Sequence, residues 1–452
     1  MRRYFIFSVV SLALFLASVN ATAVSVAFPV IIPELNASLV LAGWVLSVYQ
    51  LVAVSAMPLA AQMSEVFGRK STFMLCVLLF TVGSVLCAVA PNVNLLIVFR
   101  VIQAIGGGGF LPSAAGIVSD EFPEMRQRAI GLFTSIFPIG AIIGPNLGGW
   151  MVASLGWRSV FWFNVPLGAL VLILSWLLLR AGGGNRASGI DLVGATLLAV
   201  FLSAFMLALT ELGNGRAGIP WMLVSLLIVL SIVSLIVFLR REQTVREPVI
   251  ELELLRGRPF LGANAYNLVY GACAFGVFSL IPLYAVSIYG MSVFQSGLIL
   301  TPRSIGMMIA STVTSFFLVR WGYRWPIVVG TLTIVLSLFL LALEPQGINV
   351  WRIHLNANVW LLLIMALSGL GIGISAPAAN NACIELMPNR VATITGLRGM
   401  FRQMGGVISI TTTTLLLQGI GNMQRAFSVV FISLALILLL SIPAVFTMPK
   451  QP

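Results

Sequence analysis

The sequence predicts an all-α polytopic membrane protein with about fourteen transmembrane helices, and three observations lead there. Apolar residues make up 59% of the 452 and charged residues only 8%, with a mean hydropathy of +1.06, well outside the range of a soluble globular chain. Apolar windows of roughly 20 residues, enough to cross a bilayer core of about 30 Å, recur from one end of the chain to the other. The basic residues collect in alternate loops, as the positive-inside rule requires. Backbone groups in lipid pair only in helices or closed barrels, and the windows lack the period-two alternation of a barrel, so helices follow.

The first window, 5–29, begins after Met-Arg-Arg and so imitates a secretory leader, but its apolar run continues through Val30 and reads as a retained span. Windows 40–61, 72–90, 95–118, 129–153 and 159–179 complete a first six-span half, 1–180. Two further spans, 190–211 and 219–239, occupy 181–240. The longest polar stretch, REQTVREPVIELELLRGRP, mixes both signs and reads as a cytoplasmic linker over 241–258. Windows 259–288, 294–318, 326–343, 358–381, 393–417 and 426–447 make a second half, 259–452. FGRK at Phe67–Lys70 has a weak echo in WGYR at Trp321–Arg324, as an internal repeat of six spans would produce.

With the N-terminus inside, 18 of the 25 basic residues, Arg398 among them, fall in cytoplasmic segments and only Arg158, Arg216, Arg352 and Arg425 fall outside. Both termini are then cytoplasmic and the protein sits in the cell membrane. The net charge of +12 is an orientation signal, so no nucleic-acid partner is expected. Cys76, Cys87, Cys273 and Cys383 stand singly and His354 is the only histidine, which leaves no disulfide framework, metal cluster, cofactor site or catalytic triad to propose. The chain does not read as an enzyme. Its expected partners are the lipid bilayer, a small amphipathic substrate, and protons or another coupling ion.

Three kinds of residue stand out inside the spans. GAIIGPNLGG places Gly140, Gly144 and Gly148 at i, i+4 and i+8, with Pro145 and Gly149 beside them, so one helix face lacks side chains and a neighbour can approach to backbone contact. Such a seam serves tight packing or a moving interface. Arg100, Arg303 and Arg402 lie within spans, while every one of the 13 acids lies in a loop or near a span end. Intramembrane arginines face a cavity or a partner; Arg303, after Pro302, could instead bond freed carbonyls, and Arg402 could cap a neighbouring helix. Polar residues at Asn20, Gln50, Gln103, Asn164, Asn380 and Asn381 suit either substrate contact or bonds between helices.

GAIIGPNLGG as a unit resembles the antiporter signature of the major facilitator superfamily. AQMSEVFGRK, Ala61–Lys70, resembles its loop motif after the second span, and FRVIQAIGGGG, Phe99–Gly109, its fourth-span arginine motif. VNATAVSVAFP, WRSVFWFNVPLG, IPLYAVSIYGMSVFQSGLILTP and FRQMGG are similar to the fourteen-span branch of drug:proton antiporters, the DHA2 family. The resemblance implies two six-helix bundles plus two extra central helices, exporting drugs or other amphipathic molecules by alternating access in secondary active antiport. It implies a gating loop at Glu65, Gly68, Arg69 and Lys70, with Glu65 in place of the usual Asp and Ala61 in place of the first Gly. At the first-span position where the family pattern has Asp, this chain has Asn20, which holds no titratable proton. That departure moves coupling away from the first span and keeps open a second reading, export of an anionic amphiphile, a lipid or acidic metabolite, served by the arginines.

Overall fold

Helix α1 (Arg2–Glu34) runs well past its apolar window, because its prolines, Pro29 and Pro33, fall only in its last turns. Asn36, with φ +48°, then turns the chain through the left-handed region that Asn tolerates. Ser38 caps α2 (Leu39–Val66) by accepting from the Leu41 N–H, and Asn92 caps α4 (Val93–Glu121) through Leu95. Between them, α3 (Arg69–Ala88) starts at Gly68, whose φ of +88° only glycine adopts without strain. The computed structural model describes residues 2–125, 129, 132–133, 136–180, 191–213, 220–245, 257–343, 347–350, 353–386 and 391–450.

The chain divides into two units, Met1–Glu251 and Leu252–Pro452, with the boundary inside the polar stretch that reads as a linker. In the first unit α5 (Ile136–Leu155), α6 (Arg158–Leu178), α7 (Leu192–Gly213) and α8 (Trp221–Glu242) follow α4. There α1 packs on α5, α6 and α4, α3 on α4 and α6, and α2 on α4, while α7 joins α8 to α2. Asp191, itself buried, accepts from the Gly194 N–H at 2.8 Å and from Arg241 Nε at 2.8 Å, pinning the start of α7 to the end of α8.

The second unit departs from its expected outline. The window 259–288 is not one helix but α9 (Arg258–Gly271), a π stretch (Ala272–Gly276), a 3-10 stretch (Val277–Leu280) and α10 (Ile281–Tyr289). Gly276, at φ −89° and ψ −93°, and Pro282 in the first turn of α10 account for the break. After it come α11 (Val293–Leu298), α12 (Leu300–Trp321), α13 (Arg324–Ala342), α14 (Ala357–Glu385), α15 (Val391–Ile420), α16 (Met423–Leu440) and the short α17 (Ile442–Val445). An antiparallel hairpin, β1 (Gly347–Val350) with β2 (Ile353–Asn356), pairs Gly347 with Asn356 in the loop before α14, where the sequence had suggested no strand. Here α14 packs between α12 and α13, and α15 lies along α9 and the π stretch.

Each of the fourteen windows holds helix, and among the described residues the fold is all-α apart from that hairpin. Ten helices among the described residues are long and apolar enough to cross a membrane, and two shorter apolar ones lie at 139–155 and 193–209. Large apolar side chains cover the outside, with Met222 at 87% exposure, Phe316 at 82% and Trp176 at 65%. Water would not tolerate that surface, but lipid does: this is a multi-pass membrane protein.

Candidate substrate and coupling site

In the first unit the polar residues of five helices meet at the middle of α1. Asn20 Oδ1 accepts from Asn164 Nδ2 of α6 at 3.0 Å and from Gln103 Nε2 of α4 at 3.3 Å. Gln103 Nε2 also donates to Ser84 Oγ of α3 at 2.7 Å, and its Oε1 accepts from Arg100 Nη1 at 2.6 Å. Arg100 Nε donates to the Val45 carbonyl of α2 at 3.0 Å, and the guanidinium stands 4.2 Å from the Tyr49 ring centre. Asn20, Gln103 and Asn164 are fully buried and Arg100 is 1% exposed, so these bonds form out of reach of water. No carboxylate pairs with Arg100 among the described residues; neutral oxygens and an aromatic face hold its charge. Asn20 therefore ties α1 to α4 and α6.

The glycine seam lies on the other side of α1. A Cβ at Gly140 would stand 2.6 Å from Ser18 Cβ, one at Gly148 2.7 Å from Ala23 Cβ, and one at Gly144 would collide with Thr22 Oγ1. Bare backbone on α5 is what admits α1, and Ser18 Oγ adds a bond to the Phe137 carbonyl at 2.6 Å. Pro145 and Gly149 are buried within the same helix.

In the loop between α2 and α3, expected to gate, Arg69 forms an ion pair with Asp120 at the end of α4, its guanidinium lying over Gly116, where a Cβ would strike it. Lys70 Nζ donates to the Trp176 and Leu179 carbonyls at 2.8 and 2.6 Å, and Arg2 Nη2 to the Leu178 carbonyl at 2.5 Å. Two cations thus satisfy the open C-terminal end of α6. The Glu65 side chain lies outside the described residues.

The second unit gathers arginines. Arg303 Nη2 donates to the Ala274 carbonyl at 2.9 Å, inside the π stretch, and its guanidinium stands 4.8 Å from the Phe278 ring centre. Arg402 stands 4.7 Å from the Phe275 ring centre. Arg398, which the charge count places on the cytoplasmic side, lies one helical turn before Arg402 in α15, inside its own window 393–417, and the two repel each other. On α14, Asn381 Nδ2 bonds back to the Pro377 carbonyl at 3.0 Å, and Asn380 is half-buried beside it. Gln50 is half-buried on α2, next to Tyr49.

The sequence profile of the Major Facilitator Superfamily matches residues 10–187, 184–410 and 266–452, nearly the whole chain. The chain belongs to the Major Facilitator Superfamily. It is 31% identical to Multidrug resistance protein 3 of Bacillus subtilis over 88% of its length and 77% of that protein. It is 28% identical to the Methylenomycin A resistance protein of Streptomyces coelicolor, over 94% of its length and 88% of that protein. Among solved structures, a bacterial homologue of the human lysosomal transporter Spinster, inward-facing and unoccupied, matches with a TM-score of 0.66 at 16% identity, over 99% of this chain and 97% of the other. The Escherichia coli xylose transporter XylE, in its inward-open conformation, gives 0.62 at 12% identity, over 97% and 95%. These two support the superfamily's fold alone. Members of this superfamily are transporters, so the chain is a membrane transporter and not an enzyme. Within this superfamily member, structure joins Asn20, Arg100, Gln103 and Asn164 into one network, with Ser84 and the Val45 carbonyl as members that single-letter reading could not single out.

Proposed function

We propose that this transporter exports drugs or other amphipathic small molecules by alternating access in secondary active antiport. The observation that carries the reading is the buried polar network around Asn20, set in helices whose outer surface is built for lipid. Such a network is costly unless it orders helices that must keep one arrangement while others move. Similarity to proteins named for multidrug and methylenomycin resistance supports the substrate class. In this reading the chain holds six spans (1–180), two additional spans (181–240), a cytoplasmic linker (241–258) and six further spans (259–452), fourteen in all, with both termini in the cytoplasm and the protein in the cell membrane. The loop Glu65, Gly68, Arg69 and Lys70 gates the cytoplasmic side, and Gly140, Gly144, Pro145, Gly148 and Gly149 form the seam along which α1 and α5 stay together. Protons or another ion drive the cycle without a first-span acid, since Asn20 does not titrate. Substrate or coupling contacts come from Asn20, Gln50, Arg100, Gln103, Asn164, Arg303, Asn380, Asn381 and Arg402.

A pump-deficient bacterium expressing the chain tests this, challenged with cationic, neutral and anionic compounds with and without a proton ionophore. Raised resistance that the ionophore abolishes is expected; unchanged susceptibility to all three classes at good expression refutes export. A second reading, export of an anionic amphiphile, is favoured by the arginines of the second unit, which have no acid beside them among the described residues.

A further inference from the structure

We propose that the C-terminal unit carries a binding site for the anionic headgroup of an amphiphile, built by Arg303, Arg398 and Arg402 around Tyr270; the proposal rests on the export reading and names the charge of the substrate. The three arginines come from two helices, α12 and α15, that close on the broken helix next to Tyr270: Arg303 bonds the Ala274 carbonyl, and the Arg402 main chain lies against Gly271, one turn after Arg398 on the same helix. Tyr270 itself is buried and stacked on Tyr266, with ring centres 5.9 Å apart, so it is a fixed floor and not a mobile side chain. In each of Arg303, Arg398 and Arg402 the Nε is buried and lacks a hydrogen-bond partner, while each residue as a whole keeps part of its surface exposed. These are covered donors with open approaches.

Charge balance sharpens the case. Between Leu252 and Pro452 the sequence holds only three acids, Glu253, Glu344 and Glu385. Glu253 and Glu344 lie outside the described residues, and Glu385 is exposed and engages Tyr323. Arg398 and Arg402, one turn apart on α15, repel each other. Three cations gathered within spans, without a carboxylate beside them among the described residues, are expensive as they stand, and an anion placed among them relieves all three at once.

The broken helix supplies the rest of the geometry. Its π stretch offers the Ala274 carbonyl to Arg303, and Phe275 and Phe278 present rings to Arg402 and Arg303. Stacking engages the face of a guanidinium and leaves its in-plane N–H donors for a carboxylate or phosphate, which they match in pairs. Gly271 brings the helix close enough, since a Cβ there would collide with the Arg402 carbonyl. Interrupted helices with unpaired backbone groups are where transporters place their ligands. A carboxylate on a small molecule and the phosphate of a lipid headgroup share the required chemistry.

The test uses the full-length protein in nanodiscs of phosphatidylcholine and measures equilibrium binding of radiolabelled naphthoate and its uncharged isostere naphthamide. The parent protein should bind naphthoate about ten-fold or more tightly than naphthamide, as charge-assisted hydrogen bonds require. Arg398→Gln should bring that ratio to about three or below and Arg398→Lys should keep most of it, with both variants eluting at the parent's volume in size-exclusion chromatography as evidence of folding. Equal binding of the two probes by the parent, or a ratio that survives Arg398→Gln, Arg303→Gln and Arg402→Gln alike, overturns the proposal. Repeating the titration with phosphatidylglycerol in the nanodisc separates the sources: undiminished naphthoate binding assigns the site to a small carboxylate, and competitive loss assigns it to a lipid phosphate, both with the site upheld. The outcome is separable from the export reading, because a chain that gives resistance but does not discriminate the probes loses only the anion site, and one that discriminates but gives no resistance loses only export.

Discussion

Substituting Gly148 by alanine tests the seam with a single methyl group. That methyl would stand 2.7 Å from Ala23 Cβ and 2.8 Å from Ala23 Cα. Carbon atoms rest about 3.5–4.0 Å apart, so α1 and α5 would have to separate by about 1 Å. Both neighbours belong to helix α1 and one is main chain, so neither can rotate away. Overpacking of this kind costs about 1–3 kcal/mol. Separation also stretches the bond from Ser18 Oγ to the Phe137 carbonyl, now 2.6 Å, and an interhelical bond in a membrane protein is worth about 0.6–1.7 kcal/mol. Gly419→Ala is the matched control, since nothing stands within 4 Å of its added methyl at an exposed position near the end of α15. It should be neutral or stabilising by up to about 1 kcal/mol, because alanine is the better helix former. Thermal unfolding of the two purified variants in one detergent measures the difference. Equal melting temperatures would refute close backbone approach as the role of these glycines. The larger Gly144→Leu, whose side chain meets Thr22 Oγ1 and the Val19 main chain, should still insert but lose transport at equal expression.

Two further outcomes follow from named contacts. Asn20→Ala leaves Asn164 Nδ2 without its acceptor while Gln103 keeps Ser84, so it should cost about 1–2 kcal/mol of stability and change flux little, whereas Asn20→Asp, joined to Arg100 through Gln103, should give proteoliposome flux a pH dependence that the parent lacks. A pH profile identical in parent and Asp variant, or gradient-driven accumulation by the parent that disappears on Asn20→Ala, would refute that account. Asp120→Asn removes a half-exposed ion pair with Arg69, so stability should fall by at most about 1 kcal/mol while the transport rate falls several-fold; a rate that tracks the melting temperature alone would show the pair to be merely structural.

Much of the fold was legible because lipid imposes one rule on every span, and window hydropathy reads that rule directly. The seam was legible for a similar reason: Gly140, Gly144 and Gly148 recur at the helical period, and their neighbours prove to be Ser18, Thr22 and Ala23 on one helix. The break at Ala272–Leu280 was not legible, since hydropathy does not distinguish a continuous apolar helix from one that unwinds around a glycine. Arg398 escaped attention because charge counting assigns a residue by its distance from a span end, and α15 carries it inward beside Arg402. The network around Asn20 was half visible: the polar residues could be named, but that α2 lends Arg100 the Val45 carbonyl depends on how helices rotate about their axes.

The two arginine sites answer the question that Asn20 poses. A carboxylate at that position would accept from Asn164 and Gln103 as the amide does, and would also balance Arg100 across one glutamine. The amide keeps the hydrogen bonds and discards the balance, so the centre of the N-terminal unit holds a permanent positive charge at 1% exposure. A guanidinium does not give up its proton near neutral pH, so this network has nothing to load and unload as the protein cycles. Its charge is constant in every state. A constant buried charge cannot be an energy source, but it can be a selector: it penalises a cationic solute and favours an anionic one by the same Coulomb term, strongest where water is excluded. Arg303, Arg398 and Arg402 impose the same sign in the other unit, where only residues from α12 and α15 contribute. Two units that each hold arginines without an acid beside them, among the described residues, fit the proposed selection by substrate charge, and Asn20 in the first helix is consistent with that proposal.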